Sequence, residues 1–194
     1  MEQYKTPVAF LYDGAVKTTL NAENKNAWDV YYEEILGGLG ITANKYTEAA
    51  ALVRDLHRYQ VILCGEAALA PDALAALEAW VRCGGSLICF RTPGIGRLMD
   101  FTVREDVPQG DDEFTVGGYL QPRDGALLPV DQNRPVLPVF SRIFRLRVNG
   151  AETEILADML DPVIGVLCFG QTPGRTPAIL RRRLGGGAVC FYTF

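Results

Sequence analysis

Residues 59–90 read YQVILCGEAALAPDALAALEAWVRCGGSLICF. Two apolar runs, Tyr59–Cys64 and Ser86–Phe90, flank a segment with a different period. Each run is too short for a helix and reads as a strand buried on both faces. Between them, Leu74, Leu77, Trp80 and Val81 recur at helical spacing. Pro71 suits the first helical position and Asp72 the positive helix end, while Gly84-Gly85 supplies the stop. Strand, amphipathic helix and strand within about 30 residues make a parallel crossover unit.

The pattern extends towards the N-terminus. Pro7–Tyr12 is a further apolar run, closed by Asp13-Gly14. Trp28, Tyr31, Tyr32, Ile35 and Leu36 predict a helix over about residues 25–39, ended by Gly37-Gly38. Residues 41–46 predict a short strand and residues 48–56 a helix. The predicted fold is α/β: a flavodoxin-like, doubly wound, mostly parallel sheet with helices on both faces. Towards the C-terminus the order weakens. Residues 102–142 are rich in Pro, Gly, Asp and Gln, and predict an excursion with short antiparallel strands at Phe114–Val116 and Arg145–Val148. Strands follow at 154–160, 163–169, 178–184 and 188–194, the last two joined by a tight turn at Leu184-Gly185-Gly186-Gly187-Ala188. These form an antiparallel C-terminal extension of one domain covering residues 1–194. The final apolar run stops at Tyr192-Thr193-Phe194 without a polar tail, which predicts that the natural protein continues and that this is one excised domain.

Composition excludes several classes. The net charge of -4 argues against a nucleic-acid partner, which selects a basic field. The basic cluster Arg181-Arg182-Arg183 reads as a strand edge with its tips in solvent. No apolar run reaches the ~18 residues of a membrane span, and residues 1–5 carry no leader pattern, so a cytoplasmic location is expected. There are five cysteines and no CxxC pair. Cys64, Cys89, Cys168 and Cys190 lie inside apolar runs, where a thiol acts as a small hydrophobe in a reducing compartment. No metal site and no cofactor is expected. Asp13–Thr19 is a poor version of a flavin phosphate loop, and Gly94-x-Gly96 is too short for a dinucleotide fingerprint.

The run Tyr59–Cys64, the helix Pro71–Cys83, Gly84-Gly85-Ser86-Leu87-Ile88 and the closing Leu184-Gly185-Gly186-Gly187-Ala188-Val189 together resemble class I glutamine amidotransferase-like domains. The likeness is to their non-amidotransferase relatives, such as ThuA-like proteins and the domain after the catalytic barrel of some β-galactosidases. It covers most of residues 7–100 and 154–194. The resemblance implies a nucleophilic Cys in a Gly-x-Cys-x-Gly turn after the fourth strand. Thr92 stands where that Cys belongs, and Pro93, which has no N–H, stands where an oxyanion donor belongs. The chain's one histidine, His57, precedes the third strand and reads as a helix C-terminal residue. The chemistry of glutamine hydrolysis is therefore not expected.

Ligands of open α/β sheets collect at the C-terminal ends of the strands. That edge carries Tyr12 and Asp13, then Glu66, then Arg91 and Thr92. Asp13 and Glu66, with Arg91 beside them, could serve as a hydrolase acid/base pair; equally they cap loops or pair with Arg91. Asn24 and Asn26, near Trp28, could bind a sugar or simply form a turn. The leading expectation is a non-catalytic, amidotransferase-like module of a larger, carbohydrate-related protein, acting in ligand binding or assembly. Its partners are a small molecule or sugar, further domains of the same chain, or a second copy in a homo-oligomer, with no nucleic acid and no membrane. The alternative is a hydrolase that uses Asp13, Glu66 and Arg91.

Overall fold

The computed structural model describes residues 8–25, 29–110, 115–123, 136–162 and 174–194. Asn26, Trp28, Phe114, Cys168 and the strand expected at 163–169 lie outside the described residues. The chain divides into two compact units, residues 1–98 with 182–190 and residues 99–181 with 191–194.

The first unit is built from β1 (Val8–Leu11), α1 (Gly14–Ala22), α2 (Asp29–Gly38), β2 (Ala43–Tyr46), α3 (Ala49–Asp55), a 3-10 turn (Leu56–Arg58), β3 (Val61–Cys64), α4 (Pro71–Arg82) and β4 (Ser86–Phe90). The sheet order is β2-β1-β3-β4, all parallel where register is defined, and β4 is followed by β11 (Gly187–Tyr192). Alternation sorts the side chains. Val8 and Phe10 form one cluster with Leu63, covered by Tyr32 and Leu36 of α2. Ala9 and Leu11 point the other way and share their face with Ile62, Cys64, Leu87 and Cys89, their register partners. All six are at most 1% exposed, so β1, β3 and β4 are buried on this face.

The α4 segment forms as its sequence requires. Pro71 opens it, Asp72 lies in the first turn, and Ala73, Leu77 and Val81 form the buried stripe. Gly84 ends it at φ +115°, a conformation that suits glycine. A Cβ on Gly85 would sit inside the Trp80 ring. Trp80 is held there by its indole N–H, which donates to the Tyr59 carbonyl at 3.2 Å. The Gly185-Gly186 turn docks on this same stop, with Gly186 N donating to Arg82 O at 2.9 Å and Ala188 N to Gly85 O at 3.2 Å.

The second unit holds β5 (Phe101–Val107), β6 (Gly118–Pro122), β7 (Leu137–Val139), β8 (Ile143–Val148), β9 (Thr153–Leu160) and most of β10 (Arg175–Leu184). Its larger ladder runs β10-β9-β6-β7, with β6 antiparallel to both β7 and β9. β5 and β8 form a separate antiparallel ribbon, with a bulge between Val103 and Glu105.

Two expectations are corrected, and one element appears that the sequence reading did not give. Residues 14–22 are a helix. The Asp13 carboxylate caps it, accepting from Ala15 N at 2.8 Å and Val16 N at 3.4 Å. Lys25 is not part of α2, whose described span is Asp29–Gly38: Asn24 (φ +54°) closes α1, and Lys25 N donates back to Leu20 O. The arginine cluster is not a row of solvated tips. Arg181 binds Glu154 at 2.7 Å, and Arg182 donates to the Leu98 carbonyl at 3.0 Å.

Candidate functional site

Strand order reverses between β1 and β3, because the chain leaves β1 towards β2 on one side and later returns to β3 on the other. The crevice beyond such a reversal is where open α/β sheets bind ligands. The structure has a cleft of about 610 Å³ there. β1 contributes Leu11 and Asp13 to its lining, the β2–α3 turn Thr47, Glu48 and Ala49, and the β3–α4 loop Ala67, Ala70 and Asp72. Arg54 of α3 adds one cation.

Three helix N-termini meet this cleft, and each brings its own carboxylate. Asp13 caps α1. Asp72 Oδ1 accepts from Ala73 N at 2.9 Å at the start of α4. Glu48 precedes α3 and makes no side-chain cap bond. These carboxylates answer the positive helix ends that would otherwise attract an anion. Three acids against one arginine leave the lining acidic, which disfavours a phosphorylated ligand. Its walls between the acids are mostly alanine, with Leu11, Thr47 and Val53.

The other expected residues lie elsewhere. Glu66 and Arg91 come together at 3.4 Å, with Arg91 only 5% exposed at its side chain. Neither lines the cleft that holds Asp13. Tyr12 stacks on Phe10, ring centroids 5.7 Å apart, and packs with the Val8–Phe10–Leu63 cluster. Asn24 is exposed in the left-handed turn that ends α1. Asn26 lies outside the described residues.

The turn leaving β4 is where the resemblance leads one to expect a nucleophilic Cys. Arg91 adopts φ +46°, a left-handed conformation that costs a non-glycine residue energy. Thr92 is 1% exposed. Its Oγ1 lies 3.1 Å from the Cys64 carbonyl and 2.9 Å from the Gly65 carbonyl, to which its single proton donates. Cys89 is 0% exposed. Burial foremost, and then the neighbouring Cys64 thiol, push its pKa well above the ordinary thiol range, so it is held as an unreactive thiol. His57 is exposed in the 3-10 turn before β3. Among the described residues no group of three or more His, Cys, Asp or Glu side chains could hold a metal ion, and no helix is long and apolar enough to cross a membrane.

Sequence reading missed Thr47, Glu48, Arg54 and Asp72 as cleft residues. Asp72 was legible only as a helix-start acid, because adjacency of β2 to β1 must be known before the Thr47–Glu48 turn can be placed beside Asp13.

The fold is mixed α/β, and the turn leaving β4 holds a buried Arg91 and Thr92 followed by an exposed Pro93. The same fold occurs in solved structures. A cold-adapted β-galactosidase from Rahnella sp. R3 superposes with a TM-score of 0.72 at 13% identity, over 97% of this chain and 28% of its own. A β-galactosidase from Bacillus circulans sp. alkalophilus gives 0.67 at 16% identity, again over 97% of this chain and 28% of its own. A ThuA-like protein from Bacteroides uniformis gives 0.64 at 12% identity, over 100% of this chain and 84% of its own. The chain thus spans 28% of the length of these β-galactosidases. The likeness to ThuA-like and β-galactosidase domains is one of fold. No protein-family model and no curated protein matches the sequence.

Proposed function

We propose that residues 1–194 form a single non-catalytic, amidotransferase-like module of a larger, carbohydrate-related protein, binding a small ligand in the cleft beyond β1 and β3. The observation that carries the reading is the exit of β4. A nucleophile must be exposed and activated, whereas Thr92 is buried with its hydroxyl committed to two carbonyls, and Cys89 is buried as a thiol. The flavodoxin-like arrangement, with helices on both faces of the parallel strands, is part of the same proposal. It is supported by α2 on the Val8–Phe10 face and by the contact of α3 with β1, β2 and α4.

The cleft favours a neutral or cationic ligand rich in hydroxyl groups. Asp13, Glu48 and Asp72 are acceptors for such hydroxyls, and the acidic lining opposes phosphate. A sugar fits this chemistry, and the β-galactosidases that share the fold support a carbohydrate-related setting. Further domains of the same chain are the proposed partners, supported by the share of the β-galactosidase chains that the fold occupies. A cytoplasmic location is supported by Cys64, Cys83, Cys89 and Cys190, all free thiols.

Two measurements test the proposal. Glutamine, nitrophenyl ester and nitrophenyl galactoside hydrolysis by the purified chain should stay at the buffer rate. Turnover that Asp13→Asn or Glu66→Gln abolishes would establish the hydrolase instead. Titration with neutral monosaccharides, followed by amide NMR, should shift Ala49, Ala67 and Ala73. Shifts scattered outside the cleft, or none with any sugar, would remove it as the binding site.

A further inference from the structure

The second unit carries a polar cluster that the cleft does not use. Antiparallel pairing sets Gln121 of β6 directly opposite Asp158 of β9, so the two side chains rise from one face of the sheet. Arg123, two residues beyond Gln121, rises from the same face. Asp158 is 2% exposed. Arg123 grips its carboxylate in bidentate fashion, Nε to Oδ2 at 3.0 Å and Nη2 to Oδ1 at 2.9 Å. Arg175 of β10 adds Nη1 to Oδ2 at 3.3 Å.

Two guanidiniums on one carboxylate leave a net positive charge. Both remain about half exposed, 47% for Arg123 and 54% for Arg175. A guanidinium has five N–H donors, and Asp158 takes two from Arg123 and one from Arg175, so several stay directed at solvent. The hydrogen bonds that Arg123 donates to Asp158 also raise its pKa further. Beside them, Gln121 Oε1 is buried with no hydrogen-bond partner among the described residues. A buried acceptor left in this way calls for a donor.

We propose that this face binds a small hydroxylated carboxylate, of which a sugar acid is an example. The ligand carboxylate bridges the outward N–H groups of Arg123 and Arg175, and an adjacent hydroxyl donates to Gln121 Oε1. Asp158 is the preorganising element, fixing both planar donors side by side before the ligand arrives. The site is separate from the cleft of the first unit and does not depend on it.

The test is calorimetric titration of the full chain, at fixed ionic strength, with D-glucuronate, D-glucose, acetate and inorganic phosphate. Glucuronate should bind saturably and acetate more weakly, and any heat from glucose, which belongs to the cleft of the first unit, should be unchanged by Arg175→Gln or Gln121→Leu. Arg175→Gln should weaken glucuronate roughly tenfold or more, the effect of a lost charge-assisted hydrogen bond. Gln121→Leu should bring glucuronate down to the acetate level while leaving acetate unchanged, which a merely structural role for Gln121 would not do. Circular dichroism checks the fold, and if Arg175→Gln does not fold, the glucuronate-to-acetate ratio in Gln121→Leu decides. Absence of saturable glucuronate binding, binding indifferent to Arg175→Gln in a folded variant, or a preference for phosphate over glucuronate would each overturn the proposal.

Discussion

At the exit of β4, a hydroxyl side chain, Thr92, is part of the core. Thr92 ties this turn to the end of β3 through the Cys64 and Gly65 carbonyls. Thr92→Val removes the donor and keeps the shape, so it should cost about 1–2 kcal/mol, the price of leaving buried carbonyls short of a partner. Urea denaturation followed by far-UV circular dichroism measures it, and an unchanged midpoint would show those bonds to be idle. Cys89 gives a pH prediction. Its folded pKa is raised, so the native state holds the proton where the unfolded chain has lost it. Stability from this group is complete below the unfolded thiol value of about 8.5 and falls as pH rises above it, towards the folded value. Cys89→Ala should flatten the loss of stability between about pH 8.5 and 10. The parts of this turn open to sequence reading were Thr92, Pro93 and the buried Cys89, because an apolar run around a thiol implies burial. The left-handed Arg91 and its contact with Glu66 were not, since backbone handedness at a non-glycine residue leaves no compositional trace. The Gln121–Arg123–Asp158–Arg175 cluster was equally hidden. Arg123 and Asp158 are 35 positions apart, and only strand pairing unites them.

At the level of elements, α4 and its stop show how local signals add up. Pro71, Asp72, Leu77, Val81 and Gly84 agree with one another, so this helix was legible to its ends, although Ala73 completes the buried stripe and Leu74 and Trp80 are only half-buried. The second glycine of the stop has a reason that spacing alone does not give. Gly85→Ala drives a methyl into Trp80 and should destabilise by about 1–3 kcal/mol through overpacking. A thermal melt of the variant checks it. Adding Trp80→Leu should restore part of the loss, because the two residues share one space and their effects do not add. Helix α1 was illegible for the converse reason. Gly14, Thr18, Thr19 and Asn21 are poor or middling helix formers, and Leu20 is its one buried residue among those described. What makes it a helix is the Asp13 cap and its place after a buried strand. Strand β5 was missed likewise, because Thr102–Asp106 are all exposed and show no apolar alternation, while its antiparallel partner β8 was read in part, at Arg145–Val148.

At the level of the molecule, the first unit is discontinuous, because residues 182–190 complete a body otherwise formed by residues 1–98. β11 is the neighbour of β4 in the sheet. Val189 is 0% exposed, and the Gly185-Gly186 turn bonds back to the end of α4. The N-terminal crossover units therefore cannot bury β4 by themselves. Without β11, the row of N–H and C=O groups on that edge of β4 is left unpaired beside apolar surface, which is the template for strand addition between molecules. A chain ending at residue 174 should lose cooperative unfolding, bind a hydrophobic dye, and elute as soluble aggregate, while the full chain does none of these. Adding a synthetic peptide of residues 175–194 should restore part of the cooperative transition, because it returns both strands of the hairpin to the edge. A residue 1–174 chain that melts as sharply as the full protein would mean that the parallel strands are stable alone, and that the hairpin is an addition to the fold and not its closure.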